Sequence, residues 1–223
     1  GSGAFMKDVA SARELATTMV ELGADAGVTT VALLTAMDRP LGRAVGNALE
    51  VAEAVEVLAG GGPEDVVELT VRLAREMLAA AGVDGRDPAD ALKDGSAMDV
   101  WRRMIRAQGG DPDAPLPRAA ETMDVTAPAD GVLARLDAYA VGVAAWRLGA
   151  GRARKEDPVS HAAGVTLHAK PGDHVRKGQP LLTLHTDEPA RFDRALAALE
   201  GAYEIGMAPD PGLLPLVIER VTA

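Results

Sequence analysis

The sequence predicts an α/β protein: part of a large mixed α/β domain, followed by a small α+β unit with barrel-sandwich-like strands. Three observations carry this. The apolar run VALL at 31–34 sits between two stretches with helical spacing, giving helix, strand and helix in order. The run GGDPDAPLP at 109–117 disfavours both helix and ladder, so a boundary belongs there. Beyond it short β-like runs dominate, at 131–136, 164–169, 180–186 and 216–221. The expected division is therefore residues 1–120 and residues 121–223.

Taken in order, residues 6–26 read as a helix capped by Asp8, with Val9, Ala12, Leu15, Met19 and Leu22 on one apolar stripe expected in the core. Gly27 closes it, and residues 31–34 follow as a strand buried on both faces, the pattern of a parallel sheet. In an open α/β sheet ligands gather beyond the carboxyl end of such a strand. The loop found there, residues 35–46, holds Asp38, Pro40 and two glycines. Asn47 with Glu50 fits a capping box opening a helix through Ala59. Glu53, one turn further along the same face, has no such duty and is expected to turn its carboxylate toward the loop carbonyls. Gly60 to Gly62 stop that helix, and Pro63 suits the first turn of the next, whose stripe is Val66, Leu69, Leu73, Met77 and Ala80. Ser96, with Asp99 three residues on, opens a helix to about Gln108 in which Trp101 is expected as a core anchor. In the second unit, residues 138–148 and 189–199 are expected to be helical.

Composition narrows the function classes. Hydrophobic residues at 48% and charged residues at 25% are ordinary for a soluble globular protein of 223 residues. No apolar run is long enough to span a membrane, and no secretory pattern opens the sequence, so a cytoplasmic setting is expected. Zero cysteines exclude disulfides, thiolate zinc sites and a cysteine nucleophile within these residues. A net charge of -10 with 3% aromatic residues argues against a nucleic-acid partner. Small molecules or other protein surfaces remain as partners.

Three separated stretches carry a family resemblance: GSGAFMKD at 1–8, ALLTAMDRPLGRAVGNALEV at 32–51 and APADGVLARLD at 127–137. Together they closely resemble the pyrimidine nucleoside phosphorylase family, which includes the thymidine phosphorylases. The likeness runs in order from Gly1 to about Ile205 and looks like the C-terminal half of such an enzyme. It implies phosphorolysis of a pyrimidine nucleoside: phosphate, the co-substrate, attacks C1′ and releases the base and a (deoxy)ribose 1-phosphate. The resemblance further implies that the carbonyl oxygens of Leu41 and Ala44 and the carboxylate of Glu53 hold a monovalent cation, potassium, with further ligands from a glycine and threonine region absent from these residues. It places Phe5 on the wall of the pyrimidine pocket. No organic cofactor is implied. The family's phosphate loop and base-binding arginine, serine and lysine have no match here. The expected catalytic set within this chain is therefore empty, and the chain by itself is expected to be inactive. Homodimer contacts are expected mainly from the small helical domain of the N-terminal half, and an unpaired sheet edge where strands of that half would add.

Other readings were open at this point. Residues 164–184, GVTLHAKPGDHVRKGQPLLTL, look like the half-barrel of a biotinyl or lipoyl carrier, but Lys170 and Lys177 lie in turns of another kind. A non-catalytic interaction module of that architecture is one alternative, and a phosphoribosyltransferase relative is another. His161, His168, His174 and His185 match no zinc spacing. Asp38 and Arg43 suit acid-base work or phosphate binding, and equally a loop-fixing ion pair. The small-residue loop Gly1 to Ala4, leading into a helix, offers backbone amides to a ligand.

Overall fold

The computed structural model describes residues 1–223. Helix α1 (Val9–Asp25) begins at Asp8, whose side chain accepts the Ser11 amide. It ends at Ala26, followed by Gly27 at φ +71°. Strand β1 (Val31–Thr35) comes next, then the two-residue β2 (Ala44–Val45), α2 (Asn47–Leu58), α3 (Glu64–Ala80), the short α4 (Pro88–Lys93) and α5 (Ser96–Ala107). Strands β3 (Glu121–Thr126) and β4 (Gly131–Leu136) lead to α6 (Ala138–Ala145). They are followed by β5 (Gly164–Leu167), β6 (His174–Val175), β7 (Pro180–Thr186), α7 (Phe192–Leu199), β8 (Tyr203–Gly206) and β9 (Val217–Thr222). The fold is mixed α/β, with antiparallel sheets throughout.

The sheet expected around residues 31–34 takes another form. β1 pairs with β9 alone, antiparallel, from Val31 opposite Thr222 to Thr35 opposite Val217. Only Leu34 in β1 is fully buried, because the ribbon is packed by α1 and its second edge meets no strand of this chain. The run at 216–221 thus returns to the first region instead of joining the strands that precede it.

The apolar stripes are helical as expected, yet they are not core. α1 buries Ala16 and Val20, while Met19 is 57% exposed and Leu15 and Leu22 are also open. α3 buries Leu69 and Val71 and leaves Leu73 and Met77 exposed. α5 has no fully buried residue, and Trp101 is half-buried. Its N-cap is Gly95, in the left-handed region at φ +81°, with Ser96 the first helical residue.

The main core belongs to the second region. A four-stranded sheet in the order β2-β5-β7-β3 faces a three-stranded sheet in the order β6-β4-β8, with α6 and α7 packed together beside them. Nineteen buried residues between Ala127 and Ala202 form one cluster, including Leu133, Val141, Leu182 and Leu184. Thr186 is its buried polar member: its hydroxyl donates to the Leu148 carbonyl at 2.8 Å and accepts from the Glu188 amide. β2 ties the first region to this body, Ala44 lying opposite Thr166 and Val45 opposite Val165.

Candidate functional site

The loop between β1 and α2 is fixed from both ends. At its start, the Asp38 carboxylate accepts the Ser2 amide at 3.0 Å, the Met37 carbonyl accepts the Gly3 amide, and the Asp38 carbonyl accepts the Ala138 amide. The amides of the opening Gly-Ser-Gly segment are therefore consumed by the chain itself, and the helix starts only at Val9. Asp38 and Arg43 form no ion pair with each other: Asp38 serves backbone amides and the Arg43 side chain is exposed.

At its end, the loop enters α2 through Gly46, not Asn47. Gly46 is the N-cap at φ +138°, and a Cβ there would meet the Ala163 carbonyl at 2.5 Å. Half of the expected capping box survives, since Glu50 accepts the Gly46 amide at 2.9 Å. Asn47, one residue too late to cap, donates its side-chain amide to the Ala150 carbonyl at 2.8 Å.

Between these ends, two carboxylates from two helices clasp two successive amides. Glu53 on α2 accepts the Arg43 amide at 2.7 Å. Asp65, in the first turn of α3, accepts the Gly42 amide at 3.2 Å. Gly42 has φ +67°, and a Cβ there would collide with the Glu53 carboxylate and Val66, so only glycine lets the loop close on Glu53. The Arg43 carbonyl accepts the Leu167 amide at 2.7 Å, joining the β5 ladder. Alternate residues of an antiparallel pair direct their polar groups to opposite sides, so the Ala44 carbonyl turns off that ladder. The Leu41 carbonyl accepts no hydrogen bond from the chain.

A cation from the second region completes the cluster. Lys170, in the turn between β5 and β6, bonds its ammonium to the Asp65 carboxylate. Burial pushes Asp65 up, but the Lys170 ammonium and the Gly42 and Val66 amides outweigh it and hold the carboxyl below its ordinary range. Glu53 goes the other way. Its burial outweighs the Arg43 amide and the more distant Lys170 charge, so its carboxyl is held above the usual range. Glu53 thus carries a charge less fully compensated than that of Asp65.

Of the residues singled out from sequence, Leu41, Ala44 and Glu53 come together around this loop. Phe5 does not join them: it is 89% exposed, so within this chain it is neither core nor packed on the loop. Asp65 and Lys170 carried no local signal, being an ordinary first-turn acid and an ordinary turn lysine that meet across 105 positions. A second concavity, an apolar groove of about 500 Å³, lies between α1 and the β1–β9 ribbon, lined by Ala12, Leu15, Met19, Leu33, Leu34 and Ile218.

Comparison with known proteins gives the family. The family model for the pyrimidine nucleoside phosphorylase C-terminal domain matches residues 132–206, the span from β4 to β8. The chain is 59% identical over 221 residues to a thymidine phosphorylase of Mycobacterium tuberculosis, covering 99% of this chain and 52% of that protein. This chain belongs to the pyrimidine nucleoside phosphorylase family, matching its C-terminal half. It is also 45% identical over 198 residues to a pyrimidine-nucleoside phosphorylase of Bacillus subtilis, and 43% identical over 198 residues to one of Geobacillus stearothermophilus. Each of these two matches covers 84% of this chain and 46% of the relative, so the chain spans about half the length of the curated relatives it matches. No helix is long and apolar enough to cross a membrane.

Proposed function

We propose that this chain supplies the C-terminal half of a pentosyltransferase that cleaves thymidine or a related pyrimidine nucleoside with phosphate, releasing the base and a (deoxy)ribose 1-phosphate. The observation that carries this reading is the 59% identity along nearly the whole chain to a protein named thymidine phosphorylase. In such a reaction the protein aligns phosphate with C1′ and stabilises charge on the sugar and the leaving base. The groups that do so belong, on this reading, to polypeptide outside these 223 residues, in a cytoplasmic homodimer whose contacts lie mainly in that other half. Residues 1–120, with β9 returning to them, then complete the central α/β domain, and the rest of residues 121–223 form the C-terminal domain.

Within this chain the role we assign to the β1–α2 loop is to hold a monovalent cation, potassium, through the Leu41 and Ala44 carbonyls and the Glu53 carboxylate. Three features support the fit. The Leu41 carbonyl lacks a partner, the Ala44 carbonyl is directed off the ladder, and the half-buried Glu53 is incompletely compensated. All three are hard oxygen donors, and the remaining ligands would come from outside the chain. When bound, the ion would stiffen the loop against the carboxyl end of β1. Phe5, open to solvent on this chain, would form one wall of the pyrimidine pocket against the other half.

The decisive assay is phosphate-dependent release of thymine from thymidine. The 223-residue chain by itself should show none, and robust turnover by a preparation of verified mass would overturn the placement of the catalytic groups. A polypeptide extended upstream to include a KHSTGG-like phosphate loop should turn over thymidine or uridine with phosphate, and not consume phosphoribosyl diphosphate.

A further inference from the structure

Two half-buried carboxylates clasp the β1–α2 loop, and one ammonium is bonded to the pair through Asp65. Lys170 bonds Asp65 directly, and Asp65 and Glu53 hold the adjacent Gly42 and Arg43 amides of the same loop. The side chains of Lys170 and Asp65 are only 24% and 26% exposed, so water screens them incompletely. Arg43, the basic residue nearest along the loop, is exposed and forms no salt bridge with either acid. The formal charge of the Glu53, Asp65 and Lys170 trio is therefore a single negative one.

That residue of charge has a chemical consequence. One monovalent ion cancels it, whereas a divalent ion would leave the loop with a net positive charge in a poorly screened place. Without the ammonium, two carboxylates beside carbonyl oxygens would form the oxygen-rich, doubly negative set that calcium prefers. Resting on the reading of this loop as a cation site, we propose that Lys170 sets its preference for a monovalent over a divalent cation, by permanently occupying the place of one of the two positive charges that Glu53 and Asp65 together attract. The lysine is well placed for a fixed role. Its amide donates to the Asp173 carboxylate at 2.8 Å and Pro171 follows it, so the turn that carries it is held by the second region and not by the loop it neutralises. Lys170 is thus a positioning and selectivity residue, not a ligand.

The test is calorimetric titration of the polypeptide extended upstream, which supplies the remaining ligands, with potassium chloride and with calcium chloride, at constant ionic strength in a tetramethylammonium buffer, with circular dichroism to verify folding. The unmodified chain and its variants are in that extended form. The unmodified chain should take up potassium in preference to calcium. Lys170→Gln should gain calcium affinity by about tenfold or more, and Lys170→Arg should keep the original preference. Asp65→Asn should lose potassium affinity by a similar factor, because Lys170 alone then neutralises Glu53. Potassium uptake by the unmodified chain with no calcium gain in Lys170→Gln would overturn the role given to Lys170. Should Lys170→Gln fail to fold, unchanged potassium affinity in Asp65→Asn would overturn it equally. No cation uptake by the unmodified extended polypeptide would instead remove the cation reading beneath it.

Discussion

The stretch from Ala127 to Ala202 and the helices from Val9 to Ala107 treat their apolar residues in opposite ways. The first closes nineteen of them into one cluster under two sheets and two helices. The second lays Leu15, Met19, Leu22, Leu73, Met77, Val100 and Met104 along good helical stripes and leaves them exposed. Helix formation in the first region is thus driven only in part by burial within this chain. Its order rests on caps, on the β1–β9 ribbon, and on the β2–β5 and Lys170–Asp65 links to the other body. Exposed apolar faces of that extent mark surfaces made to be covered by protein. The relatives, about twice as long, have further chain to do it.

The contrast can be broken most directly by truncation. Leu182→Ala, at a side chain with 0% exposure, should cost about 2–5 kcal/mol in urea or thermal unfolding, whereas Met19→Ala should stay within about 0.5 kcal/mol. Comparable losses at the two sites would mean that α1 is packed as tightly as the Ala127–Ala202 core. Gly46→Ala probes the seam between regions. The left-handed backbone and the Ala163 carbonyl both oppose a side chain there, and a loss of about 1–3 kcal/mol is expected. If that variant is as stable as the parent, α2 is not anchored through its first residue. Thr186→Val removes a buried hydroxyl and orphans its partners, for about 1–3 kcal/mol, with the loss confined to melting of the Ala127–Ala202 core.

The smallest expected effect is on pH dependence. Burial, followed by the charge of His168, lowers the pKa of His185, and Asp124 opposes this only in part. A histidine depressed on folding contributes stability that is present above its unfolded pKa of about 6.5 and is lost as pH falls through the lower folded value. His185→Gln, which keeps a partner for the Thr166 hydroxyl, should flatten the stability profile on the acid side of neutrality. A profile unchanged by the substitution would show that His185 is not its source.

Local chemistry was readable from the sequence where it was self-contained. The strands at 131–136 and 180–186 have the expected bounds, because β-branched and leucine runs end there in glycine, proline and aspartate. Asp8 caps α1, and Glu53 faces the loop, since each follows from spacing along one helix, but Glu53 is engaged there by the Arg43 amide and is not left free for the loop carbonyls. What escaped depends on partners remote in sequence. A stripe at helical spacing says which residues share a face, not whether anything covers it, and so Met19 and Trp101 were expected in a core. The run at 31–34 looked buried on both faces, but its composition could not name β9 as its neighbour. Asn47 lost the cap to Gly46 because the Ala163 carbonyl crowds that position, a contact no spacing rule contains. Lys170 and Asp65 were invisible as a pair for the same reason.

The pairing of Val31 with Thr222 also sets a timetable for the nascent chain. The strands of the Ala127–Ala202 core are all made before β9 emerges from the ribosome, so that body is free to close first. Helix α1 and strand β1, translated before them, must wait for their pairing strand with their greasy surfaces bare. This interval is where chaperones would engage the molecule.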